Sequence, residues 1–75
     1  MVKKTNIDLT KTDELILEYL KKVKAPKTTY EIAKALEISW ATVNVHCIKL
    51  SLHGLIKTKT VVSKTGAKKI LWWVE

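Results

Sequence analysis

Residues 28–56 read TTYEIAKALEISWATVNVHCIKLSLHGLI, and this stretch decides the fold. Thr28 and Glu31 stand at capping-box spacing, so each side chain can satisfy a free backbone donor at a helix start. Behind them Ile32, Ala33 and Leu36 recur at helical spacing. Ile38 plugs a tight turn, and Ser39 is a good N-cap for a second helix. Val43, Cys47 and Leu50 share one face of that helix, and Gly54 can end it in the left-handed conformation. Gly54, Leu55 and Ile56 then lead out into a strand.

Upstream, the pattern predicts a helix over residues 11–23, capped by Thr12 or Thr10, with Asp13 and Glu14 suited to the positive end of its dipole. Leu15, Ile16, Tyr19, Leu20 and Val23 form its apolar stripe, and Leu17 lies off it. Ala25-Pro26 breaks the helix, and Lys27-Thr28 is a short first strand. Residues 1–10 form an N-terminal arm, in which Ile7 and Leu9 alternate with polar neighbours. Downstream, residues 55–62 are strand-like, 63–68 are a turn containing Gly66, and 70–74 return. With the turn centred on Thr65, Ile56, Thr58 and Thr60 share a face with Ile70, Trp72 and Val74. Trp72 and Trp73 then point opposite ways, with Trp73 expected on the side away from the core.

Seventy-five residues make one small domain, here taken as 11–75 behind the arm, and 47% hydrophobic content is enough for a core. No apolar run is long enough to span a membrane, and the basic N-terminus lacks the apolar segment of a secretion signal. The single cysteine, Cys47, allows no internal disulfide and is expected to be a buried, inert thiol.

The net charge is +7, and its distribution is uneven. All seven acids are Asp8, Asp13, Glu14, Glu18, Glu31, Glu37 and Glu75. Between Ile38 and Val74 there is no acid but six lysines: Lys49, Lys57, Lys59, Lys64, Lys68 and Lys69. The second helix of the pair and the hairpin are thus purely basic, the footprint of a phosphate-binding face. A lysine-rich surface also serves solubility, particularly in heat-adapted proteins. Every basic residue is lysine, which suggests an AT-rich genome of archaeal or viral type and removes the bidentate arginine–guanine contact.

The stretch IAKALEIS–x–ATV–x–x–H–x–x–x–L–x–x–x–GLI is similar to bacterial and archaeal winged-helix transcription regulators. The resemblance covers residues 12–74 and implies an α+β winged helix-turn-helix: three helices plus a C-terminal two-stranded β-hairpin wing. It implies sequence-specific binding of double-stranded DNA, with recognition helix 40–53 in the major groove and wing 63–69 on the backbone or the adjacent groove. On that reading Trp40, Ala41, Thr42, Asn44 and Val45 enter the groove. Ser39 offers a backbone donor to a phosphate. Thr28, Thr29, Lys34 and Lys49 hold backbone phosphates, and Lys64, Lys68 and Lys69 do so from the wing. His46 matches a histidine often seen in the family; it either donates to a phosphate or packs at the core edge.

One feature departs from the family. Ala41, Val45, Ile48 and Leu52 make the outward face of the recognition helix apolar, where relatives place polar or basic residues. Thymine methyl contacts are one explanation. A winged-helix module that binds protein through this face is another, and nonspecific nucleic-acid binding is a third. A homodimer is expected through Ile7, Leu9, Leu17 and Trp73, in a cytoplasmic, nucleoid-associated setting. Catalysis finds no support: His46 and His53 have no well-placed carboxylate in sequence, and no phosphate loop or metal-ligand spacing occurs. No cofactor, metal or small-molecule ligand is expected.

Overall fold

A computed structural model describes residues 8–75. The elements run α1 (Lys11–Val23), β1 (Lys27–Thr28), α2 (Thr29–Leu36), α3 (Trp40–Leu52), β2 (Lys57–Val62) and β3 (Lys68–Trp73). The three helices and the β2–β3 wing make a winged helix-turn-helix. β1 pairs antiparallel with β3, so the sheet has three strands in the order β1-β3-β2.

Each helix start has a side-chain cap. Thr10 rather than Thr12 caps α1, in a full capping box with Asp13. Thr28 and Glu31 form the same box on α2, and Ser39 Oγ accepts the Thr42 N–H at the start of α3. The turn between α2 and α3 is closed by the Ile38 N–H donating to the Ala33 carbonyl at 3.0 Å. That bond requires a left-handed residue at 37, and Glu37 supplies it with φ 57°. At the end of α3, Leu55 N–H donates to the Leu50 carbonyl and Gly54 N–H to that of Ser51, with Gly54 at φ 75°. Glycine takes this backbone without strain and turns the chain sharply into β2.

Ile16, Leu20, Ile32, Ala33, Val43, Cys47, Leu50, Ile56 and Trp72 form the core where the helices meet the base of the sheet. The stripe of α1 differs from the expected one. Leu17 is half-buried against the core, whereas Leu15 is exposed. The buried face is centred on positions 13, 16 and 20, and a residue one step after Ile16 lies nearer that centre than one before it. Position 13 is an aspartate, and Asp13 is fully buried rather than solvated.

The wing register pairs Thr58 with Trp72, Thr60 with Ile70 and Val61 with Lys69, as a turn centred on Thr65 requires. Trp72 is buried and Trp73 half-buried on the opposite face. All six residues of β2 are exposed, so the wing projects from the core. Of the expected dimer surface, Leu9 is exposed, Leu17 is turned into the monomer's own packing, and Ile7 lies outside the described residues, as does most of the expected arm.

Candidate nucleic-acid interface

The start of α2, the start of α3 and the wing enclose a cleft of about 690 Å³. Thr28, Thr29, Tyr30 and Glu31 line it from α2, Trp40 from α3, and Thr60, Lys68, Lys69 and Ile70 from the wing. Five expected contact residues are thereby brought to one place: Thr28, Thr29, Trp40, Lys68 and Lys69. Tyr30, Glu31, Thr60 and Ile70 are additions that only the folding of the wing over α2 reveals. Nothing in the sequence marked a cavity here.

Not every side chain in the cleft is free to bind. Thr29 is buried, and its Oγ1 accepts the Trp72 indole N–H at 2.8 Å. Its hydroxyl oxygen is thus held inside the protein, away from any phosphate. Thr28 Oγ1 accepts the Glu31 N–H, and the Glu31 carboxylate accepts the Thr28 N–H at 2.9 Å. That backbone bond holds the Glu31 carboxyl below its usual range, with Lys27 and Lys69 adding smaller attraction. The acid therefore stays charged and offsets part of the lysine field at this end of the cleft.

On α3, Ala41 and Val45 face outward, with Val45 63% exposed. Ile48 and Leu52 continue the apolar stripe at 44% and 82% exposure. Trp40 is 52% exposed at the first position of the helix. Ser39 is exposed and donates its hydroxyl to Thr42 Oγ1 at 2.8 Å, so Ser39 and Thr42 serve each other. Asn44 is half-buried with its Oδ1 enclosed and without a partner among the described residues. An asparagine amide nitrogen is a donor suited to purine N7 or the carbonyl oxygens of guanine and thymine.

Lys49 departs furthest from its expected role. Its Nζ donates to Asp13 Oδ2 at 2.6 Å and to the Asp8 carbonyl at 3.1 Å. It is tied to α1 rather than held out for a phosphate. His46 Nδ1 contacts the other Asp13 oxygen, Oδ1, at 2.6 Å. The carboxylate that sequence spacing failed to find for His46 thus comes from 33 residues upstream. Burial alone would raise the Asp13 pKa; bonds from Lys49, the Thr10 backbone and His46 outweigh it and bring it to about 2. Burial raises the Cys47 thiol to about 12, so it is inert as expected. Lys34 is exposed on α2, its Nζ 6.0 Å from the Tyr30 ring centre. Lys64 at the wing tip and Lys68 and Lys69 on β3 are exposed.

Solved structures share this fold. A possible transcriptional regulator from Methanosarcina mazei Go1 superposes with a TM-score of 0.82 at 18% identity, over 89% of this chain and 57% of that one. Bacillus subtilis PadR, solved in complex with operator DNA, gives 0.74 at 18% identity over 84% and 40%. Lactococcus lactis ZitR, a zinc-responsive MarR family member, gives 0.72 at 33% identity over 93% and 46%. The chain therefore spans about half the length of these proteins. No curated protein matches it. The family model described as FaeA-like protein matches residues 12–75, the whole of the fold from α1 to the end of the wing, and the chain belongs to that family.

Proposed function

We propose that this chain is a sequence-specific double-stranded DNA-binding module of a transcriptional regulator. The observation that carries the reading is the shared cleft. Trp40, at the start of α3, and Lys68 and Lys69, on the wing, open onto the same side of the molecule. A duplex laid against that side would meet α3 in its major groove and the wing lysines along its backbone. Trp40, Ala41, Asn44 and Val45 supply the base-facing surface. Ser39, Thr42 and Thr28 shape the helix starts beside it. Lys34, Lys64, Lys68 and Lys69 supply phosphate contacts. The DNA-bound PadR neighbour supports this use of the fold. The regulator neighbours also favour a binding protein over an enzyme.

Selection of bound sequences from random duplexes tests the reading. A recurring motif is expected, with affinity falling steeply as salt rises. Failure to retain any duplex at low salt would refute it. In that case the exposed apolar stripe of Val45, Ile48 and Leu52 favours a protein partner on the same helix.

A twofold homodimer acting at the nucleoid in the cytoplasm is part of the proposal. Leu9 and Trp73 remain its contact residues, and exposed Leu15 replaces Leu17 on α1. Sedimentation at micromolar concentration should give twice the chain mass, and the selected motif should be a pseudo-palindrome.

A further inference from the structure

The Asp13–His46–Lys49 cluster has a free valence that packing does not use. Asp13 enters from α1 with no exposed surface, while His46 and Lys49 enter from α3. Asp13 Oδ2 accepts from Lys49 Nζ and from the Thr10 N–H, leaving Oδ1 to the His46 ring. An ionised carboxylate only accepts, so the 2.6 Å contact requires a proton on His46 Nδ1. The neutral ring is therefore the Nδ1–H tautomer, and its Nε2 is a bare acceptor. That Nε2 has no partner among the described residues, and the His46 side chain keeps 22% of its surface exposed.

His46 directly follows exposed Val45 and lies on the flank of α3 that faces α1, across the helix from the wing cleft. A helix seated in a groove has a phosphate backbone along each flank. The wing lysines serve one; on the other, Lys49 is already bound to Asp13. A bare Nε2 repels a phosphate oxygen, whereas a protonated ring donates to it and adds a charge.

We infer that His46 is a phosphate-binding residue in its imidazolium form alone, so that duplex binding takes up a proton at this site. The inference rests on the DNA reading above. Among the described residues, the charged groups at the ring are Asp13 from α1, in contact with it, and Lys49 on its own helix, bound to the same carboxylate. Asp13 stays ionised through the range where imidazole titrates. Its second bond, from Lys49, keeps the carboxylate in place as the ring gains its proton.

The test uses the whole chain with His53→Gln as background, removing the other imidazole, and one short mixed-sequence duplex as probe. Affinity is measured across a salt series at about pH 8 and about pH 5.5, either side of the imidazole range. Affinity should rise about tenfold at the lower pH, the scale of one charge-assisted bond. The slope of log affinity against log salt should steepen by about 0.9, one phosphate contact. Adding His46→Gln should remove both effects, because an amide takes up no proton between these pH values. Equal affinity at both pH values overturns the inference but leaves the DNA reading standing. So does an equal loss in the His46→Gln variant at both pH values, which marks a packing role. A chain that retains no duplex at either pH refutes both. Ring ¹⁵N shifts of the unaltered protein give a check independent of any variant: a neutral Nε2–H tautomer would also overturn the inference.

Discussion

The indole Nε1 of Trp72 donates to Thr29 Oγ1 at 2.8 Å inside the core, joining β3 to the first residue of α2. Both side chains are buried, so water cannot replace either partner. This bond ties the wing to the helix pair beside the cleft that Thr29 helps to line. Thr29→Val keeps the shape but leaves the indole donor unpaired, at an expected cost of about 1–3 kcal/mol. Thr29→Ser should recover most of that loss. Urea unfolding measures both, and equal stability of the Val variant and the parent would show that the bond contributes nothing.

Asp13 makes the fold acid-sensitive in a defined window. Its folded pKa of about 2 lies below the ordinary aspartate value of 3.8, so the folded state holds the carboxylate more tightly than the unfolded chain. The resulting stability is complete above the unfolded pKa and is lost as pH falls through the folded one. Its size is of the order of 2 kcal/mol. Asp13→Asn should be less stable at neutral pH and should show a flatter decline between about pH 4 and about pH 2. Matching acid limbs in the two proteins would remove Asp13 from the account.

Glu37 occupies the left-handed position between α2 and α3 with φ 57°. A side chain there costs roughly 1 kcal/mol that glycine avoids. Glu37→Gly should therefore raise stability by about 0.5–1 kcal/mol, the reverse of the usual effect of adding glycine. Thermal unfolding decides it, and a lower melting temperature would mean that the Glu37 side chain makes a compensating contact.

Val45 and the wing lysines test different parts of the interface. Val45→Asp puts a carboxylate at a site 63% exposed, so folding should survive. Duplex binding should be abolished if α3 enters the groove. If self-association fails instead while DNA affinity holds, the apolar stripe is a protein interface.

Replacing Lys64, Lys68 and Lys69 together with alanine should weaken all duplexes similarly. The salt slope should become shallower by roughly 2–3 units, about 0.9 for each phosphate no longer neutralised. An unchanged slope would show that the wing does not touch DNA.

The sequence by itself determined what depends on neighbours along the chain. The α2 capping box, the Ile38 turn, the Gly54 exit and the face on which Trp72 lies all follow from fixed local spacing, because helix and strand periods are set by backbone geometry. The acid-free run from 38 to 74 is likewise a property of order alone. Tertiary structure decided what depends on elements far apart in sequence. Asp13 reads locally as a solvated acid at a helix start, and only the packing of α1 on α3 buries it against His46 and Lys49. Thr29 reads as a surface hydroxyl until Trp72, 43 residues on, delivers its indole N–H to it. The choice of Leu17 over Leu15 was made in the same way, since two leucines flanking Ile16 are nearly equivalent until a partner helix selects a side. A buried polar group must find its partner wherever the chain happens to fold, and no period along the sequence encodes that distance.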